Sequence, residues 1–183
     1  MRIGLDLDGV IIDHRPNKLA LARDFGYVLE PWQVNSNVID RHLEPHHHET
    51  FREKLYTHLT LSAPAMHGAL EAISRLPGEV HIISARRPRS APYAEMWLMN
   101  CGLLHQVIPK DRILFVGHPS EKRGHVERLG IEVFLDDELR VLHDLPENVH
   151  RCFFDSDGLS ERLDVKPEIR RVESWVAFLE ALR

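Results

Sequence analysis

One unit recurs along this chain: a short apolar run that closes on a small or acidic polar residue, followed by an amphipathic stretch. The apolar runs are RIGLDL, EVHIIS, RILFVG, IEVFLDD and HRCFFDS. They read as strands, and the continuous apolar character of RIGLDL suits a central strand buried on both faces. The stretches between them read as helices. PNKLALARDFG has Pro16 near its start and Gly26 at its stop. APAMHGALEAISRLPG sets Leu70, Ile73 and Leu76 near one face. APYAEMWLMNCG closes at Gly102, SEKRGHVERLG has Ser120 as its N-cap, and ELRVLHDL and ESWVAFLEALR complete the series. From residue 66 onward helix and strand alternate. That pattern predicts an α/β fold, a Rossmann-like three-layer α/β/α parallel sheet.

One connection breaks the rhythm. A strand–helix–strand unit takes roughly 30 residues, yet Asp8 and Ser84 stand 76 positions apart. The surplus, on the order of 40 residues beyond such a unit, predicts an insertion after the first strand. We place it at residues 14–64, with 1–13 and 65–183 forming the body. The insertion is polar and rich in histidine, is helical in parts (ETFREKLYTHL), and reads as a small cap over the sheet.

Composition narrows the function classes. A net charge of −5 gives no generic nucleic-acid or membrane surface, and no apolar run approaches a membrane span. DLDG interrupts the N-terminal apolar stretch, which argues against a signal peptide. Cys101 and Cys152 stand far apart, as reduced thiols in a cytoplasmic protein would. The thirteen histidines make the charge rise steeply below about pH 6.5. Oligomeric state is not encoded in any pattern we recognise.

In open parallel sheets, ligands bind beyond the carboxyl ends of the strands. Three of these ends carry polar chemistry: Asp6 and Asp8 after the first strand, Ser84 after the second, Asp136 and Asp137 after VFL. Four carboxylates on one rim repel one another unless a cation neutralises them. Hard oxygen ligands without cysteine or histidine favour Mg²⁺. Such a site suits phosphoryl transfer, with one aspartate attacking phosphorus and a second, two residues on, moving the proton. Ser84 supplies a hydroxyl for the phosphate oxygens. Of the two lysines between Ser84 and Asp136, Lys122 opens the helix before IEVFLDD and can reach the rim, whereas Lys110 sits at the opposite end of its strand.

The order DLDGV, IISAR, Lys122, FLDD resembles the haloacid dehalogenase (HAD) superfamily of phosphatases over nearly the whole chain. Within it, IGLDLDGVIID, PAMHGALEAISRL leading into VHIISARRP, VFLDDE and IRRVESWVAF are similar to 5′(3′)-deoxyribonucleotidase-like nucleotidases. The resemblance implies Asp6 as nucleophile and metal ligand, and Asp8 as acid/base that also offers the metal its backbone carbonyl. It implies Ser84 and Lys122 on the phosphate. Asp136 and Asp137 would hold Mg²⁺ directly or through water, with either as the direct ligand. The implied substrate is a small phosphorylated molecule, a nucleoside monophosphate first. The alternatives are a sugar phosphate, a nucleic-acid end, or a non-catalytic phosphate-binding regulatory module.

The remaining polar residues divide. Asp13 reads as a turn or cap residue. Arg86, nearest the rim of Arg86, Arg87 and Arg89, is an added candidate for the phosphate, since a guanidinium fork suits such groups. The HHH at 46–48 lacks a spaced partner and reads as solvated loop. Trp32, Phe51 and Tyr56 either stack on a base or form the core of the cap. Neither a P-loop nor a Gly-x-Gly-x-x-Gly turn is present.

Overall fold

The computed structural model describes residues 1–159 and 162–183. The described strands are β1 (Arg2–Leu5), β2 (Glu79–Ser84), β3 (Ile113–Phe115), β4 (Val133–Asp136), β5 (His150–Phe154) and β6 (Arg170–Val172). They form one all-parallel sheet in the order β3-β2-β1-β4-β5-β6. Seven helices accompany it among the described residues: α1 (Arg15–Asp24), α2 (His48–Tyr56), α3 (Ala69–Ser74), α4 (Ala91–Asn100), α5 (Lys122–Leu129), α6 (Leu139–Asp144) and α7 (Trp175–Ala181). None is long and apolar enough to cross a membrane.

Side chains alternate across the sheet, so neighbours in one strand enter different cores. Ile82, Leu135 and Phe154 join Leu5, Trp97 and Trp175 on one face. Ile83, Phe134 and Phe153 join Val126 and Leu142 on the other. This is why the strands read as unbroken apolar runs. At the centre, Leu5 is in register with Ile82 on one side and Leu135 on the other. Gly4 is required there for room: a Cβ on it would lie 2.4 Å from the Phe134 ring.

Chain order reverses about β1, with β2 on one side and β4 on the other. The crevice at such a reversal is where open sheets take ligands. Asp6 follows β1 directly and donates its N–H to the Leu135 carbonyl at 2.9 Å. Asp136 ends β4. The two carboxylates therefore leave the sheet at the same level.

Residues 15–62 carry α1, α2 and four short 3₁₀ turns. Leu21, Val34, Phe51 and Leu55 give this segment an apolar cluster of its own. Its ends lie side by side: the Asp13 N–H donates to the Pro64 carbonyl at 2.9 Å, and Ile12 bridges Ala65.

Three details differ from the sequence reading. The helix expected from APAMHG onward begins only at Ala69, because the Met66 N–H is committed to the Ile11 carbonyl at 2.7 Å. Ser120 is not the N-cap of α5; a 3₁₀ turn at Pro119–Glu121 precedes it, and the Ser120 hydroxyl pairs with His118 Nδ1. β6 was not expected, since RRV is three residues long and mostly exposed, with no apolar run to mark it.

Replacing Gly4 with alanine forces Phe134 out of its site and should destabilise the fold by about 1–3 kcal/mol. Urea unfolding monitored by tryptophan fluorescence tests this; an unchanged midpoint would refute the packing argument.

Candidate active site

A sharp turn sets up the site. Asp8 and Gly9 follow β1, and the Gly9 N–H returns to the Ile12 carbonyl at 2.9 Å. Gly9 has φ +89°, and a Cβ there would lie 2.3 Å from the Asp137 carboxylate. Only glycine satisfies both demands, so the first acidic loop can lie against the second.

Asp6, Asp136 and Asp137 are at most 6 % exposed. One carboxylate oxygen from each lies within 4.8 Å of the others. Lys122, at the first turn of α5, reaches into this group. Its ammonium donates to Asp6 Oδ1 at 2.5 Å and Asp136 Oδ2 at 2.7 Å. Burial works against the Lys122 charge, but the two carboxylates outweigh it and hold the ammonium protonated well above its usual range. One lysine does not balance three carboxylates. Burial, opposed by Lys122 and reinforced by Asp136 and Asp8, pushes the Asp6 carboxyl up to about 8. Burial and the neighbouring Asp6 and Asp136 push Asp137 higher than an ordinary carboxyl as well.

Asp8 is close by but turned away. Arg86 grips it with two bonds, Nε to Oδ2 at 2.9 Å and Nη2 to Oδ1 at 2.6 Å. His14 Nε2 adds a contact to Oδ1 at 2.7 Å. Burial alone would raise the Asp8 carboxyl; Arg86, helped by His14, reverses this and holds it ionised far below the usual range. The side chain of Asp8 is therefore not part of the carboxylate cluster, although its position beside Asp6 leaves the main chain there.

Arg86, the added phosphate candidate, lies at the rim with its donors engaged by the protein. Its Nη1 donates to the Tyr56 and Ser90 carbonyls, and its Nη2 also reaches the Thr60 hydroxyl. With every N–H committed, the guanidinium clamps Asp8 and is not a phosphate ligand in this arrangement. Arg87 and Arg89 pair with Glu49 across the surface. Ser84 ends β2 as expected, but its Oγ takes the Arg86 N–H at 3.3 Å and lies behind the cavity wall, where Ala85 is exposed to the cavity.

A cavity of about 260 Å³ opens in front of these groups. Asp6, Asp8, Asp137 and Lys122 line its floor, and Ser36, Arg52 and Tyr56 from the inserted segment form its roof. Tyr56 is thus the cap aromatic that reaches the site. Phe51 lies in the segment's own core, and the Trp32 ring packs under the Arg162 guanidinium. The His46 and His47 rings pack at a tilt with centroids 4.0 Å apart, and His47 Nδ1 bonds the Tyr27 hydroxyl.

Sequence reasoning missed the residues that fasten the segment over the site. Asn37 Nδ2 donates to the Asp137 carbonyl at 2.7 Å, and its Oδ1 accepts the Leu139 N–H at 2.9 Å. Asn35 and Arg15 both bond Asp157, at 2.9 Å each. Asp13 accepts the Arg15 N–H and guanidinium, as a turn residue does. No local pattern announces the partners of Asn35, Asn37 and Arg15 across the segment, which lie 100 residues away or more.

The donor set fits a divalent cation. Asp6, Asp8, Asp136 and Asp137 bring four negative charges to the rim, and Lys122 and Arg86 return two. The cluster of three carboxylates offers hard oxygen atoms without a cysteine or histidine. The raised Asp6 and Asp137 carboxyls show that Lys122 alone does not balance the cluster, and a bound cation would favour their ionised forms.

No protein-family model and no curated protein matches this sequence. Solved structures do match in fold. A haloacid dehalogenase-like protein of unknown function from Agrobacterium tumefaciens superposes with TM-score 0.67 at 16% identity, covering 99% of this chain and 96% of that one. The HAD hydrolase YfnB from Bacillus subtilis, bound to magnesium, gives 0.64 at 14% identity, covering 99% and 97%. A HAD family hydrolase from Deinococcus radiodurans, with bound phosphate and sodium, gives 0.61 at 16%, covering 99% and 94%. The architecture is thus the HAD-like fold, as the sequence motifs implied.

Arg86→Met strands the buried Asp8 carboxylate and should cost about 3–5 kcal/mol of stability. Adding Asp8→Asn to it should recover part of that loss. A double-mutant cycle in urea measures the coupling; strictly additive effects would sink the clamp.

Proposed function

We propose that this chain is a Mg²⁺-dependent phosphomonoester hydrolase that works through a phosphorylated Asp6. Residues 1–13 and 65–183 act as the catalytic body and 14–64 as its cap. The observation that supports this reading is the buried cluster of three carboxylates with a single lysine at the strand ends, in a HAD-like fold, beside a cavity of about 260 Å³. Asp6, Asp136 and Asp137, with the Asp8 backbone carbonyl that the resemblance implies, would hold the cation. When bound, it supplies positive charge that lets an anionic phosphate meet an anionic nucleophile.

The chain's own groups then divide the work. An Asp6 oxygen bonds to phosphorus as the ester oxygen leaves. Asp8 hands that oxygen a proton and later takes one from the water that releases phosphate. For this, Asp8 must first turn off Arg86, because in the clamped arrangement it is fully ionised. Lys122 stays charged throughout and faces the transferred group from the Asp6–Asp136 side. Ser84, which the resemblance puts on the phosphate, ends β2 just outside the cavity lining and would have to turn its hydroxyl toward it.

Nucleoside monophosphates are the first substrate class to assay, on the resemblance. Tyr56 is the ring available to a base, and it already stands over the Arg86 guanidinium at 5.2 Å. Asp6→Asn should lower p-nitrophenyl phosphate turnover by about 10³-fold or more while leaving the circular dichroism spectrum unchanged. Wild-type turnover in that variant would remove the phospho-Asp6 mechanism. Separately, EDTA should abolish turnover and Mg²⁺ restore it, and Mg²⁺ should raise the Tm of the wild-type protein. A Tm indifferent to Mg²⁺ argues against a metal at this cluster.

A further inference from the structure

Helix α1 presents Lys18, Leu21 and Ala22 to the interior on one face. A lysine in that apolar stripe is out of place, and it is only 7 % exposed. An ammonium has three N–H donors. Here one is spent on the Ser36 hydroxyl at 3.2 Å, and among the described residues no carboxylate pairs with it. A buried cation without an anion is costly to keep.

Lys18 lines a second cavity, of about 220 Å³, inside the inserted segment. One wall is apolar, built from Ile39, Leu43, Phe51 and Leu55. Arg52 and Arg140 also reach this cavity, but Asp40 and Glu138 each hold one of them by two bonds. Arg41 lines it as well and, like Lys18, has no carboxylate partner among the described residues. Lys18 and Arg41 thus bring this cavity two positive charges with no carboxylate in ion-pair contact among the described residues. Ser36, Arg52, Tyr56, Glu138 and Arg140 line both this cavity and the one over Asp6, so the two adjoin.

We propose that the second cavity is a subsite for a second anionic group on the substrate, with Lys18 as its principal ligand. The preferred substrates are then small phosphomonoesters whose leaving part carries a carboxylate or a further phosphate. This rests on the phosphomonoesterase reading for where the first phosphate sits. A competing role exists on the same geometry: Lys18 also draws the Asp137 carboxyl downward, so it could serve only as countercharge to the acidic cluster.

Phosphonates separate these roles without turnover. Three probes share a propyl chain: 3-phosphonopropionate, 1,3-propanediphosphonate and the neutral-tailed 3-hydroxypropylphosphonate. Calorimetry on the full chain with Mg²⁺ should show the two doubly anionic probes binding about tenfold or more tighter than the neutral one, the worth of one charge-assisted bond. Which of the two binds better tells carboxylate from phosphate. Lys18→Met should bind all three alike, and Lys18→Arg should keep the preference. Four results overturn the proposal: equal binding of all three by the wild-type chain, a preference that survives Lys18→Met, an equal loss for all three in that variant, or tighter wild-type binding of AMP than of either doubly anionic probe. The wild-type and Lys18→Arg measurements decide even if Lys18→Met fails to fold. If the preference holds while no phosphomonoester is hydrolysed, the subsite stands and the hydrolase reading falls.

Discussion

The Lys122 ammonium between Asp6 and Asp136 is the contact on which the rest depends. Parallel pairing of β1 with β4 places two carboxylates at the same level of one buried rim. Without a cation between them, neither strand could end in a charged residue at that depth. Lys122 comes from the first turn of α5, so the helix that covers the sheet also neutralises its edge. The neutralisation is incomplete, since the buried Asp137 beside Asp6 and Asp136 has no ion pair of its own among the described residues.

Asp8 shows the other half of the same economy of charge. Its carboxylate is held by Arg86, whose remaining donors fasten Tyr56, Thr60 and Ser90. One guanidinium thus joins the first acidic loop, the end of the inserted segment and the loop after β2. On the opposite side Asn37 clasps the backbone on both sides of Glu138. The segment is bonded to the two loops that carry the acidic residues. Arg86 thus contacts both Asp8 and the inserted segment.

The two cavities draw on different parts of the chain. Groups at the strand ends face one, and side chains from the inserted segment dominate the other. In such an arrangement the body can keep one reaction while the segment changes what is accepted. Lys18 comes from the segment and lines the second cavity, yet is near enough to draw the Asp137 carboxyl downward.

Much of this was legible in the sequence because it is local or periodic. Apolar runs that alternate with amphipathic helices determine a parallel sheet, and Asp, Ser or Asp-Asp at the ends of those runs determines where the polar chemistry collects. The insertion was legible as surplus length between Asp8 and Ser84. Only the tertiary structure decided the partners. Arg86 looked like a ligand for phosphate because a guanidinium is suited to it, but folding presents it with Asp8 first. Lys18 and Asn37 carried no signal, for an isolated lysine or asparagine in a helical or polar stretch is ordinary until its burial is known. A sequence specifies which charges exist and where each strand ends; which charges meet, and which are left without a partner, depends on contacts between residues as far apart as Asn37 and Asp137, and no local pattern records those.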